Sequence, residues 1–202
     1  MAAPASISPM PAANDTFNYL AVLFSIIIGL AATELLQSVR GLLVARRRVV
    51  VYAPSLIRAA TLMLILAQSW WATFGLRTHA DWTFGMYASV LLQIVLMYLV
   101  VALALPSATD GDGPIDLRAA YFAHSKLVYA LLVAAALASI LKDYVINDRL
   151  PEPANFAFHL LLIAVSAVQA MSRSDLLHKL TTGFSLVAFC GYVVVLFDKL
   201  PS

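Results

Sequence analysis

Six side chains in this sequence have the chemistry to act in an apolar setting, and Glu34 comes first. It stands inside the apolar run Phe17 to Ala45, which Arg46, Arg47 and Arg48 close. A charged side chain near a bilayer centre costs about 2.5–3.5 kcal/mol on insertion scales, so such a residue turns toward protein and takes a partner. Gln37, Ser38 and Gly41 fall on its face at helical offsets of three, four and seven. Arg40 points away from Glu34 on the same helix, whereas Arg58, across a short connection, reaches similar depth and is the better counter-ion. Glu34, Gln37, Arg40 and Arg58 therefore form a candidate ion, solute or coupling site.

His124 and His178 complete the set. Imidazoles can relay protons, and alternating spans bring these two to the end that also holds Arg58, Lys126, Arg173 and Lys179. Two readings fit this basic rim. It is a pocket for an anion or acidic lipid, or it is long cationic side chains snorkelling to anionic headgroups. Haem held between His124 and His178 is the one cofactor worth naming, because facing histidines can ligate iron from both sides; hydrogen-bonded or lipid-facing histidines are the default.

Other chemistry is excluded more firmly. There is no H-E-x-x-H, and Gly183-Phe184-Ser185-Leu186 lacks the closing glycine of a nucleophile elbow. Cys190 is the single cysteine, which removes an internal disulfide, a C-x-x-C pair and a thiolate metal cluster. Asp110-Gly111-Asp112-Gly113 lacks the spacing and closing glutamate of a calcium loop. No catalytic residue and no metal site are expected, and an enzyme is the less favoured reading.

The elements that must position these residues are apolar helices. Of 202 residues 62% are hydrophobic and only 12% charged, against about 25% charged in soluble domains, and mean hydropathy is +0.87. The pattern predicts an all-α, polytopic membrane helix bundle with six transmembrane helices, at about 17–45, 54–76, 84–105, 118–140, 155–171 and 176–196. Residues 1–16 read as a flexible lead-in and 17–199 as one six-helix domain. The first run is too long, and its flank too poor in Lys and Arg, for a cleaved signal, so an uncleaved anchor is expected.

Several spans carry a polar stripe. Arg58, Thr61, Gln68 and Ser69 share a face of the second; His159, Ser166 and Gln169 share one in the fifth; His178, Ser185 and Tyr192 recur at seven-residue steps in the sixth. Ser25, Gly29, Thr33 and Gln37 form a small-residue ridge on the first, of the kind that admits a second helix. With the N-terminus outside, nine Lys and Arg fall at inward loops and helix ends and four at outward ones, so the positive-inside rule places both termini outside. A net charge of +2 tied to helix ends gives no case for nucleic acid.

The strings G-L-A-A-T-E-L-L (29–36), S-W-W-A (69–72) and D-L-R-A-A-Y-F (116–122) resemble those of small bacterial inner-membrane proteins of about this length. That resemblance implies six helices and a bacterial inner (plasma) membrane, and brings no activity with it. The function expected is a channel or transporter-like protein for a small ion or solute, with Glu34 as gating or coupling acid and Arg58 as its partner. The alternative is a non-transporting membrane subunit engaged in assembly or anionic-lipid interaction. Membrane lipids and further copies of the chain are the expected partners.

Overall fold

The computed structural model describes residues 12–79, 81–106 and 113–196, so the lead-in up to residue 11, the carboxylates of the Asp110–Asp112 turn and Lys199 lie outside the described residues. Six α-helices make the fold: α1 (Ala12–Val44), α2 (Ala53–Thr73), α3 (Phe84–Ala102), α4 (Leu117–Asn147), α5 (Pro153–Met171) and α6 (Asp175–Leu196). Each is long and apolar enough to cross a membrane. The expected spans stand, with corrected ends. α1 begins earlier than Phe17, α2 passes into a 3-10 turn at Phe74–Thr78, and α4 continues beyond Ile140 to Asn147.

Local chemistry accounts for the ends. Pro54 and Pro153 lie in the first turns of α2 and α5, where the missing N–H costs no intrahelical bond. Asp116 caps α4, its carboxylate accepting from the amides of Arg118 at 2.8 Å and Ala119 at 3.1 Å. The far end of α4 stops at Asp148, whose left-handed backbone (φ 51°) lets its amide close on the Tyr144 carbonyl.

The helices close into a ring rather than packing in chain order. α4 packs most extensively against α3 and α5; α3 also meets α1, α5 meets α6, α6 meets α2, and α2 returns to α1. Going round, the order is α1, α3, α4, α5, α6, α2. At one end a two-residue parallel bridge, β1 (Val49–Val50) with β2 (Ile115–Asp116), ties the α1–α2 connection to the segment entering α4. Periodicity gave no hint of it.

The apolar side chains face both ways. Phe24, Ile28, Leu35, Leu62, Leu66, Val100, Val128 and Leu132 fill the interior, while Ile26, Leu30, Leu64, Leu99, Leu137, Leu160 and Val187 stand outward. So large an apolar exterior fits a lipid-facing bundle and no water-facing one. Ser25, Gly29, Thr33 and Gln37 are also exposed, so the small-residue ridge of α1 is left uncovered by the described residues. Arg58 and Thr61 on α2, and His159, Ser166 and Gln169 on α5, turn inward as their spacing predicts.

Candidate functional site

Arg58 is the most consequential side chain in the interior. It stands in the second turn of α2 and is only 4% exposed. Its Nη2 donates to the Ala104 carbonyl at 2.7 Å, just past the end of α3, where a cation also meets the negative end of the helix dipole. The guanidinium carbon lies 4.1 Å from the centre of the Tyr121 ring and 5.8 Å from that of Tyr129. Nε and Nη1 have no hydrogen-bond partner among the described residues, and no carboxylate there pairs with the guanidinium.

Under the guanidinium runs a chain of hydrogen bonds whose direction can be read. The Ser172 carbonyl can only accept, so His178 donates to it from Nε2, at 2.9 Å. Nδ1 then accepts from the Tyr121 hydroxyl at 2.9 Å. Tyr121 has one proton to give, so the hydroxyl of Tyr129 donates to that of Tyr121. Gln169 Nε2 donates to Tyr129 at 3.2 Å and to Thr181 Oγ1 at 2.8 Å. Every member is satisfied, and the chain stitches α4, α5 and α6 together beneath α2. His178 is fully buried and Tyr121 1% exposed.

Next to this network Arg58, Thr61, Tyr129, Ser166, Gln169, Thr182 and Ser185 surround a cavity of about 40 Å³. Toward the opposite end of the ring lies a larger, open cavity of about 310 Å³. Part of its polar lining is paired: His159 donates from Nδ1 to the Asn155 carbonyl at 2.8 Å and accepts from Ser139 at 3.0 Å, Tyr192 donates to Asn155 at 2.9 Å, and Lys142 pairs with Asp143 at 3.4 Å, while Gln68, Ser69, Gln93 and Asn147 have no side-chain hydrogen bond to a described residue.

The two cavities share part of their walls. Ile65, Leu132 and Leu162 line both of them. The order of lining residues runs consistently along four helices: from Leu76 to Arg58 on α2, Asn147 to Tyr129 on α4, Asn155 to Gln169 on α5 and Tyr192 to Thr182 on α6. An open vestibule, an apolar collar and a small cationic pocket therefore follow one another along the ring's interior.

The six expected site residues divide. Arg58 and His178 come together through Tyr121. Glu34 does not join them: it is half-buried, borders neither cavity, and forms no ion pair or hydrogen bond with a described residue. The expected Glu34–Arg58 pair is corrected on that ground, because α1 turns Phe24, Ile28, Ala31 and Leu35 inward and leaves Glu34 at the edge of that face. Gln37, Arg40 and His124 are exposed. Both nitrogens of His178 are already engaged, so the pair His124 and His178 offers no inward nitrogen to a haem iron.

At the basic rim Asp175 holds Arg118 at 3.1 Å and Lys179 at 2.6 Å. Tyr52 is buried beside this cluster, and burial first, then the Asp175 carboxylate, push its hydroxyl's pKa up. The residues that sequence reasoning missed are Tyr121 and Tyr129, which pass as apolar filling in α4. The spacing of eight between them, with Ser125 midway on the same buried face, is the only available signal.

No family model, curated protein or solved structure matches this chain. Its function must be argued from this geometry.

Proposed function

We propose that the chain is a multi-pass membrane protein that passes a small ion or solute through the centre of its helix ring. The observation that carries this reading is the pair of cavities, one beyond the other along the ring, that share Ile65, Leu132 and Leu162 in their walls. A bundle that serves only as an anchor has no use for a polar vestibule leading to a buried cation, since each polar group kept from lipid must be satisfied by protein or water. An apolar collar between wet cavities is the arrangement by which a pore closes without a plug, by excluding water from the constriction. By the positive-inside rule the vestibule faces outward and the Arg58 pocket lies toward the cytoplasmic side of a bacterial inner membrane.

Ile65 and Leu162 are only partly buried, so the collar can be altered without emptying the core. Ile65→Ser in proteoliposomes should wet the constriction and raise flux severalfold over wild type. Flux unaltered by that change would remove the collar from the account.

One observation favours a second role beside this one. The exposed ridge Ser25, Gly29, Thr33 and Gln37 on α1 is a helix-packing face without a partner among the described residues. We infer that it meets a second copy or another membrane helix. A Cβ at Gly29 would meet nothing within 4 Å, so Gly29→Leu leaves the single chain intact and reports on association alone. Native mass spectrometry from mild detergent should show the variant at lower stoichiometry than wild type; equal stoichiometry would count against the ridge.

A further inference from the structure

We propose that the cavity at Arg58 is a binding site for one small monovalent anion, of the size of a halide or nitrate. An arginine keeps its charge at any physiological pH. Here the charge is 96% removed from solvent, its carboxylate partner is absent among the described residues, and two of its N–H groups donate to nothing there. The Ala104 carbonyl and the two tyrosine rings offset part of the desolvation, but a buried cation without an anion is costly in general. The structure supplies a space for that anion beside the guanidinium.

The donors around the space have the right sign. Thr61 and Thr182 spend their protons on the Ile57 and His178 carbonyls, and Gln169 spends both of its N–H groups on Tyr129 and Thr181. The Arg58 Nε and Nη1 protons remain, though each nitrogen exposes less than 1 Å², so the side chain must turn slightly to present them to the space; the hydroxyls of Ser166 and Ser185 line the same cavity with no hydrogen bond to a described residue. No carboxylate borders it. A cation would meet the guanidinium's repulsion, and a neutral solute would leave its charge unmatched.

Size narrows the class further. One water needs about 10–15 Å³ of such space, so about 40 Å³ takes roughly three water-sized atoms. That matches chloride, bromide, nitrate or formate. This inference rests on the passage reading only for the route by which the anion arrives; the site itself stands on the unpaired guanidinium.

The test is thermal unfolding of the detergent-purified full chain, prepared in sodium gluconate and titrated with sodium bromide or nitrate at constant ionic strength. A ligand that binds only the folded state raises the midpoint with concentration. Wild type should show a saturable rise with bromide and nitrate and none with sulfate or further gluconate. Arg58→Gln should abolish it. Ser166→Leu keeps the guanidinium and fills the cavity, so it should weaken the response at least tenfold; it decides the matter if Arg58→Gln does not fold. Equal shifts with bromide and sulfate, or an undiminished response in Ser166→Leu, would overturn the site. Bromide binding without flux would instead refute the passage and leave the site standing.

Discussion

The two ends of the ring's interior are both polar, and they differ in what is left over. In the vestibule the charges answer one another, Lys142 with Asp143, and His159 is held by Ser139 and Asn155, while the neutral Gln68, Ser69, Gln93 and Asn147 line open space without a side-chain hydrogen bond to a described residue. In the lower pocket the tyrosine–histidine chain is hydrogen-bonded throughout, yet the arginine above it is a buried charge with two nitrogens that donate to no described residue. A neutral group at an open cavity can turn to water, whereas a buried charge without a counter-ion is the costlier remainder. On the proposed reading, that difference points to the arginine end as the binding end.

The contrast can be broken from several sides. The largest effect is expected at Arg58: Arg58→Gln should lower anion flux at least tenfold, and conduction at the wild-type rate would make the arginine a mere cap on α3. Tyr121→Phe comes next. It leaves Tyr129 without an acceptor and His178 Nδ1 without a donor, so chemical denaturation should show a loss of roughly 1–3 kcal/mol for each stranded buried group. A loss below that range would mean that the chain is slack. Ser139→Ala removes one donor from His159 in the open vestibule, where water can replace it. Its cost should be about 1 kcal/mol or less, and a cost matching that of Tyr121→Phe would erase the distinction between the two ends. Glu34→Gln should leave both flux and stability unchanged, because Glu34 touches neither cavity.

Much of the scaffold was legible in the sequence. Six apolar runs of spanning length, and the inward faces of Arg58 with Thr61 and of His159 with Ser166 and Gln169, follow from hydropathy and the helical period alone. The partners did not. Arg58 meets Tyr121 across the ring's interior, from α2 to α4, and α6 brings His178 there because it neighbours α2; neither placement follows from chain order. Glu34 misled for a related reason. Its polar stripe and the apolar stripe Phe24–Ile28–Leu35 are adjacent on α1, and rare charge in an apolar run draws attention whichever stripe the bundle buries. The tyrosines were passed over because their rings satisfy an apolar pattern while their hydroxyls do the joining.

Whether the vestibule and the arginine pocket form one path is decided most directly by Ile65→Trp, which should plug the collar that lines both cavities. Chloride efflux from proteoliposomes should fall at least tenfold in this variant, with its cooperative unfolding retained. Efflux equal to wild type, with the variant folded, would contradict the account: the two cavities would then be separate spaces, and any conduction would run elsewhere.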